Sequence, residues 1–206
     1  MVAPSSVPFT VREYLALEGV AEARHEFCGG RILAMAGADP THNTIVHNLH
    51  VIIGSVLRDR PCRVWGSDQR VLVETIHEYF YPDLVVTCLD AVVVEPTPVS
   101  LTNPQIIIEV LSESTERYDR GDKWSAYRMI PTLMDYVMVS TRWREIDHHQ
   151  RRSNGTWTLR TVADHQKSGP RVVGGDGTDT SALEAAAITL GSGLVLELAQ
   201  IYRNVT

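Results

Sequence analysis

The sequence predicts a mixed α/β domain, and three stretches carry that expectation. Across residues 40–60, Ile45, Leu49, Ile52, Ile53, Val56 and Leu57 recur at spacings of three and four, the period of an amphipathic helix of about five turns. Residues 105–111, directly after Pro104, form a nearly continuous apolar run, the pattern of a strand buried on both faces. Residues 115–130 then read as a helix stopped by Pro131, with Trp124 and Tyr127 on its buried side, and residues 135–139 read as a second buried strand. Strand, helix and strand in that order predict a right-handed crossover joining parallel neighbours.

The other elements follow along the chain. Thr10-Val11-Arg12-Glu13 has the form of a capping box ahead of Tyr14, Leu15 and Leu17, so a short helix opens the domain. Residues 24–28 lead through the turn pair Gly29-Gly30 into residues 31–35, the start of a sheet. After Pro61 come three β-rich runs, 63–65, 70–73 and 79–86, the last read as continuing through Pro82. Residues 145–149 and 156–162 alternate like exposed antiparallel strands. Residues 174–180 form a glycine-rich loop without the GxGxxG or GK[ST] spacing of a phosphate cradle. Short strands at 188–190 and 194–196 and a helix at 197–202 close the chain, and no internal repeat is visible.

Composition narrows the function classes. With 206 residues, 44% hydrophobic and 21% charged, the chain is expected to form one domain, 1–206, with a core at about 10–140 and a β-rich extension at 141–206. The net charge of −6 disfavours an indiscriminate polyanion binder while leaving room for a local basic groove. Cys28, Cys62 and Cys88 are odd in number and lack ligand spacing, so neither a disulfide framework nor a zinc site is expected and a reducing cytoplasm fits best. No signal peptide or run of membrane-spanning length is seen. Only Lys123 and Lys167 are lysines against 17 arginines, which singles out each ammonium, because it is not interchangeable with a guanidinium.

Two carboxylates sit where apolar strands should have none: Asp83, after Tyr81-Pro82, and Glu109, within residues 106–111. Buried carboxylates are paired, hydrogen-bonded or bound to a cation, because burying them alone costs several kcal/mol. Asp83, Glu109 and the backbone carbonyl of Val110 supply the hard oxygens that Mg²⁺ or Mn²⁺ prefers. Lys123 reaches the same point if its helix packs across the end of the Glu109 strand. Such a set suits phosphodiester hydrolysis: the metal polarises the phosphoryl oxygen and the ammonium stabilises developing charge. Glu26, ahead of the glycine turn, is a further candidate. The same spacing also fits a turn aspartate and a strand glutamate paired with an arginine, with no active site at all.

His25-Glu26-Phe27, His42 with Asn48-Leu49, Gly66-Ser67-Asp68, Tyr81-Pro82-Asp83, the segment from Ile108 to Thr115 and the run from Tyr118 to Pro131 resemble the Uma-type family of the PD-(D/E)XK, restriction-endonuclease-like nuclease superfamily. The resemblance runs from about Thr10 to Val139 and returns near the C-terminus. It implies a restriction-endonuclease-like fold, a central mixed β-sheet flanked by helices, with Mg²⁺ or Mn²⁺ on Asp83 and Glu109, Glu26 as an extra acid, DNA as substrate and a homodimer. The superfamily's usual lysine two residues beyond the glutamate is Leu111 here, and the resemblance places that role on Lys123. Glu113 stands where the family usually has proline, adding negative charge near the metal position.

Candidate substrate contacts are His42, which matches a family position near the active-site mouth, Gln69 and Arg120. His42, His47 and His50 form no HExxH motif, His148 and His149 should point to opposite faces of a strand, and Ser112 and Ser114 read best as helix caps. The leading expectation is therefore a metal-dependent endonuclease cutting DNA. The alternative is a catalytically inactive module of the same fold that binds DNA or a protein partner, suggested by the acidic charge and by Glu113.

Overall fold

The computed structural model describes residues 7–35, 37, 39–96, 98–164 and 186–205; the glycine-rich loop expected at 174–180 lies outside them. The opening helix α1 (Val11–Glu18) carries the expected capping box: Glu13 N–H donates to Thr10 Oγ1 at 3.3 Å and Thr10 N–H to Glu13 Oε2 at 2.7 Å. Strands β1 (His25–Cys28) and β2 (Arg31–Ala34) form a hairpin. Gly29 and Gly30 hold φ of 57° and 74° at its turn, values that favour glycine. The long helix α2 (Pro40–Leu57) starts with Asp39 Oδ1 accepting from His42 N–H at 2.8 Å, and with proline in its first turn. Ile45, Leu49, Ile53 and Leu57 are its buried stripe.

β3 (Arg63–Gly66) and β4 (Arg70–Val73) follow as expected. The run read as one strand through Pro82 is instead two strands in different sheets, β5 (Glu78–Phe80) and β6 (Leu84–Thr87). Proline has no N–H for a ladder, so the chain changes sheets at Tyr81-Pro82-Asp83, and Asp83 is left at a sheet end. β7 (Val93–Val94) and β8 (Ser100–Leu101) complete one six-stranded sheet in the order β2-β1-β5-β4-β8-β7.

The central sheet is β12-β11-β10-β9-β6-β3. β9 (Ile106–Leu111) is buried along its whole length and pairs in parallel with β10 (Asp135–Ser140), as the crossover reading requires. Between them the expected helix divides into α3 (Glu116–Tyr118), a π turn (Asp119–Lys123) and α4 (Trp124–Tyr127). β11 (Glu145–Arg151) and β12 (Trp157–Ala163) are antiparallel, but β11 is not an exposed strand: Ile146, Asp147 and His148 are buried. The hairpin β13 (Ala187–Thr189) and β14 (Val195–Glu197) with α5 (Leu198–Ile201) supplies the cover. Gly191 N–H at its turn donates to the buried carboxylate of Asp135 at 2.9 Å, which also takes His148 Nε2 at 2.8 Å.

Three packed clusters join these layers. One lies between α2, the C-terminal hairpin and one face of the central sheet, including Ile106, Ile108 and Val110. The second joins the opposite face, through Ile107 and Leu111, to α4 and the first sheet. The third sets Tyr14 of α1 against Phe27, Leu72 and Tyr79. Alternation along β9 therefore sends Glu109 to the face covered by α4. The cysteine expectation is corrected: Cys62 and Cys88 form a disulfide and only Cys28 is free. Their pairing follows from the β3/β6 ladder, whose register sets Arg63 opposite Thr87 and so the next two residues beside each other. Among the described residues no helix is long and apolar enough to cross a membrane.

Candidate active site

The site is built at the end of the β6/β9 pair. Their antiparallel register sets Leu84 opposite Ile108, and one step further brings Asp83 and Glu109 together. Asp83 N–H lies 3.4 Å from Glu109 Oε2, and Val110 N–H donates to Asp83 Oδ2 at 2.8 Å. This is also the C-terminal end of the parallel pair β9 and β10, where α/β sheets commonly place their ligands.

Lys123 comes to the same point from the helix. Its Nζ donates to Glu109 Oε1 at 3.0 Å and is ion-paired with Glu26 Oε1 at 3.1 Å and Asp119 Oδ1 at 3.2 Å. The π turn faces Asp119 and Lys123 inward together, and its Asp119 carbonyl is fixed by Trp124 N–H and by Tyr136 OH at 3.0 Å. Glu26 Oε1 also accepts from Tyr81 N–H at 2.9 Å, and Tyr127 OH donates to Glu109 Oε1 at 3.0 Å. Glu26, Glu109, Asp119 and Lys123 are all buried, whereas the side chain of Asp83 keeps 16% of its surface and forms the mouth with His42. His42 Nε2 is 3.1 Å from Asp83 Oδ2, and its Nδ1 is buried with no hydrogen-bond partner.

Three carboxylates thus surround a single ammonium, with a fourth, Asp83, beside Glu109. Burial pushes the Glu109 carboxyl well above its ordinary range, and Asp119, Asp83 and Glu26 add to this against the opposing pull of Lys123. For Lys123 burial alone would lower the pKa, but Glu109, Glu26 and Asp119 outweigh it and hold the ammonium firmly protonated. Burial opposes protonation of His42 as well, and its hydrogen bond and charge interaction with Asp83 prevail, so its pKa is raised. Burial also raises the Tyr127 phenol well above its ordinary value, so that it remains a donor to Glu109.

The excess of negative charge and the all-oxygen donor set fit a hard divalent cation. Glu109 Oε2 takes only the long 3.4 Å contact, and among the described residues Asp83 Oδ1 takes no hydrogen bond. No group of three or more His, Cys, Asp or Glu side chains among the described residues has a metal-holding arrangement, so side chains alone do not complete a coordination shell.

Of the residues singled out in the sequence, Asp83, Glu109, Lys123, Glu26 and His42 come together. Gln69 does not: its Nε2 donates to the carbonyls of Arg70 at 3.0 Å and Val99 at 3.4 Å. Nor does Arg120, whose guanidinium is held by Glu116 at 2.9 Å and by Asp147. Asp119 and Tyr127 were missed as members of the cluster. The signal for Asp119 was its position four residues before Lys123; Tyr127 looked like core, which it also is.

Comparison with known proteins agrees with this architecture. Two uncharacterized proteins of Synechocystis sp. (strain ATCC 27184 / PCC 6803 / Kazusa) are similar: sll1609 is 32% identical over 159 residues, covering 77% of this chain and 90% of its own length, and slr1290 is 36% identical over 167 residues, covering 77% and 85%. A crystal structure from Anabaena variabilis ATCC 29413, described as "a putative nuclease belonging to DUF820", superposes with a TM-score of 0.70 at 13% identity, covering 97% of this chain and 100% of that one. At that identity it speaks to the fold alone, which is the restriction-endonuclease-like mixed α/β fold. The family described as "Uma2: Putative restriction endonuclease" matches residues 11–180, and the chain belongs to it.

Proposed function

We propose that the protein is a metal-dependent endonuclease that hydrolyses DNA phosphodiester bonds at the Asp83/Glu109 sheet end. The observation that carries this reading is the burial of Glu26, Glu109, Asp119 and Lys123 in one ion-paired cluster, beside the partly exposed pair Asp83 and His42. Ion pairing alone would balance such a cluster more evenly.

Asp83, Glu109 and the Val110 carbonyl would hold Mg²⁺ or Mn²⁺, the remaining positions going to water and a phosphate oxygen. When bound, such a cation supplies Lewis-acid polarisation of the phosphate and a water of lowered pKa. The chain's own groups do the positioning. Val110 N–H and His42 fix Oδ2 of Asp83, while Tyr127 and Lys123 fix Oε1 of Glu109. Because it is buried among Glu109, Glu26 and Asp119, Lys123 favours negative charge at the phosphate through its field, from behind Glu109. Glu26 and Asp119 hold that ammonium in place. Among the candidate substrate contacts, only His42 stands at the mouth.

The test is incubation of supercoiled plasmid and a single-stranded oligonucleotide with purified protein in Mg²⁺ or Mn²⁺, beside Asp83→Ala and Lys123→Ala. Cleavage by the wild type that stops in chelator and in both variants is expected. No cleavage of either DNA, or equal cleavage by the variants, would overturn the reading and leave a fold that only binds.

A further inference from the structure

The loop between β10 and β11 rises from the same end of the central sheet as the carboxylate cluster. Leu111 of β9 stands beside Ser140 of β10, and Thr141 Oγ1 donates to the Leu111 carbonyl at 2.7 Å. Glu109 is two residues back along β9, roughly 7 Å from the root of the loop.

The loop reads Thr141-Arg142-Trp143-Arg144, and its backbone is tied down. The buried Ser140 accepts at Oγ from the N–H groups of Arg142 and Trp143, each at 3.2 Å. Glu145 N–H donates to the Trp143 carbonyl at 2.8 Å. The buried Tyr202 hydroxyl, arriving from the C-terminal segment, lies 2.7 Å from the Ser140 carbonyl and 2.9 Å from that of Trp143. Arg144 is taken by Asp164 at 3.2 Å and packs over the Tyr202 ring.

On this fixed base the indole of Trp143 points outward, 55% exposed. Arg142 is exposed too, and no ion pair among the described residues uses it. A large aromatic held out in water by a rigid loop is a surface suited to a flat partner. The neighbouring carboxylate cluster is acidic, so a polyanion approaching it needs a cation beside it, which Arg142 supplies.

We infer that Trp143 is a stacking platform for an unpaired base of the substrate strand, with Arg142 on an adjacent phosphate. This rests on the nuclease reading and deepens it, because stacking needs a base whose face is free. It also gives the C-terminal segment a task, since Tyr202 fixes the loop.

The test measures fluorescence anisotropy of a labelled single strand and of its blunt duplex, in chelator so that nothing is cut. Trp143→Ala should weaken single-strand binding about 5- to 150-fold, Trp143→Phe should restore most of it, and the duplex should change far less. Arg142→Ala should reduce the slope of log affinity against log salt for the single strand by about 0.7. Equal affinity of wild type and Trp143→Ala for the single strand would overturn the inference, as would equal losses on both DNAs. If the wild type cuts DNA while Trp143→Ala binds as it does, the nuclease reading survives and this inference does not. A wild type that neither binds DNA in chelator nor cuts it in Mg²⁺ or Mn²⁺ removes both.

Discussion

Replacing Lys123 by methionine keeps the unbranched side chain as far as Cε and removes the ammonium that Glu26, Glu109 and Asp119 share at 3.0–3.2 Å. All four side chains are buried, so the variant confines three carboxylates without their counter-charge. Breaking a buried ion pair by removing one partner costs about 3–5 kcal/mol, and at this chain length each kcal/mol lowers Tm by roughly 2–4 °C. A fall of roughly 6–20 °C at pH 7 to 8 is expected. The deficit should depend on pH. The folded-state pKa of Glu109 is already raised above the ordinary 4.5 and is held down only by Lys123, so the substitution raises it further. A group with a raised folded-state pKa favours the fold below its unfolded value and loses that contribution as pH climbs through the folded value. The gap between wild type and Lys123→Met should therefore narrow as pH falls toward about 4.5. Urea unfolding followed by circular dichroism at several pH values measures it. A loss below about 1 kcal/mol, or a gap independent of pH, would refute the view that Lys123 is the counter-charge of a buried acidic cluster.

Two further outcomes follow from the fold. The Cys62–Cys88 bridge spans 26 residues, and by loop entropy its removal in Cys62→Ser should cost roughly 3–4 kcal/mol; alkylation of the unfolded, unreduced wild type should modify Cys28 alone, and three modified thiols would contradict the pairing. His149 stacks on Trp124 at 3.9 Å between centroids, and burial lowers its pKa. Its neutral form therefore favours the fold above pH about 6.5, a contribution lost as pH falls, so His149→Phe should flatten the decline of unfolding free energy between pH 7.5 and 5.5, and an unchanged decline would count against it.

Much of the scaffold was legible because it depends on local patterns. The Thr10 capping box, the α2 stripe, and the buried β9 and β10 strands each declare themselves within a few residues. Asp83 and Glu109 stood out because charge in an apolar strand needs a reason. Other features depend on what lies across the fold. Residues 79–86 have continuous β propensity, and the change of sheet at Pro82 is decided by the missing ladder N–H, with strand partners on two different sheets. The π turn depends on Tyr136 and Trp124 holding the Asp119 carbonyl, so Asp119 passed for an ordinary helix residue. β11 alternates like an exposed strand, yet Ile146 is buried with a hairpin about 40 residues further along and Asp147, on the other face, against Arg120. The disulfide joins cysteines that only the β3/β6 register brings together.

The most direct measurement is calorimetric titration of the wild type, Asp83→Ala and Glu109→Gln with Mn²⁺ at neutral pH. A single cation site held by these two carboxylates predicts saturable binding to the wild type and its loss in both variants, with Glu109→Gln still folded because its amide can accept from Tyr127 and Lys123. Mn²⁺ binding that survives both substitutions, or its absence from the wild type, would contradict the assignment of this sheet end as a metal-dependent active site.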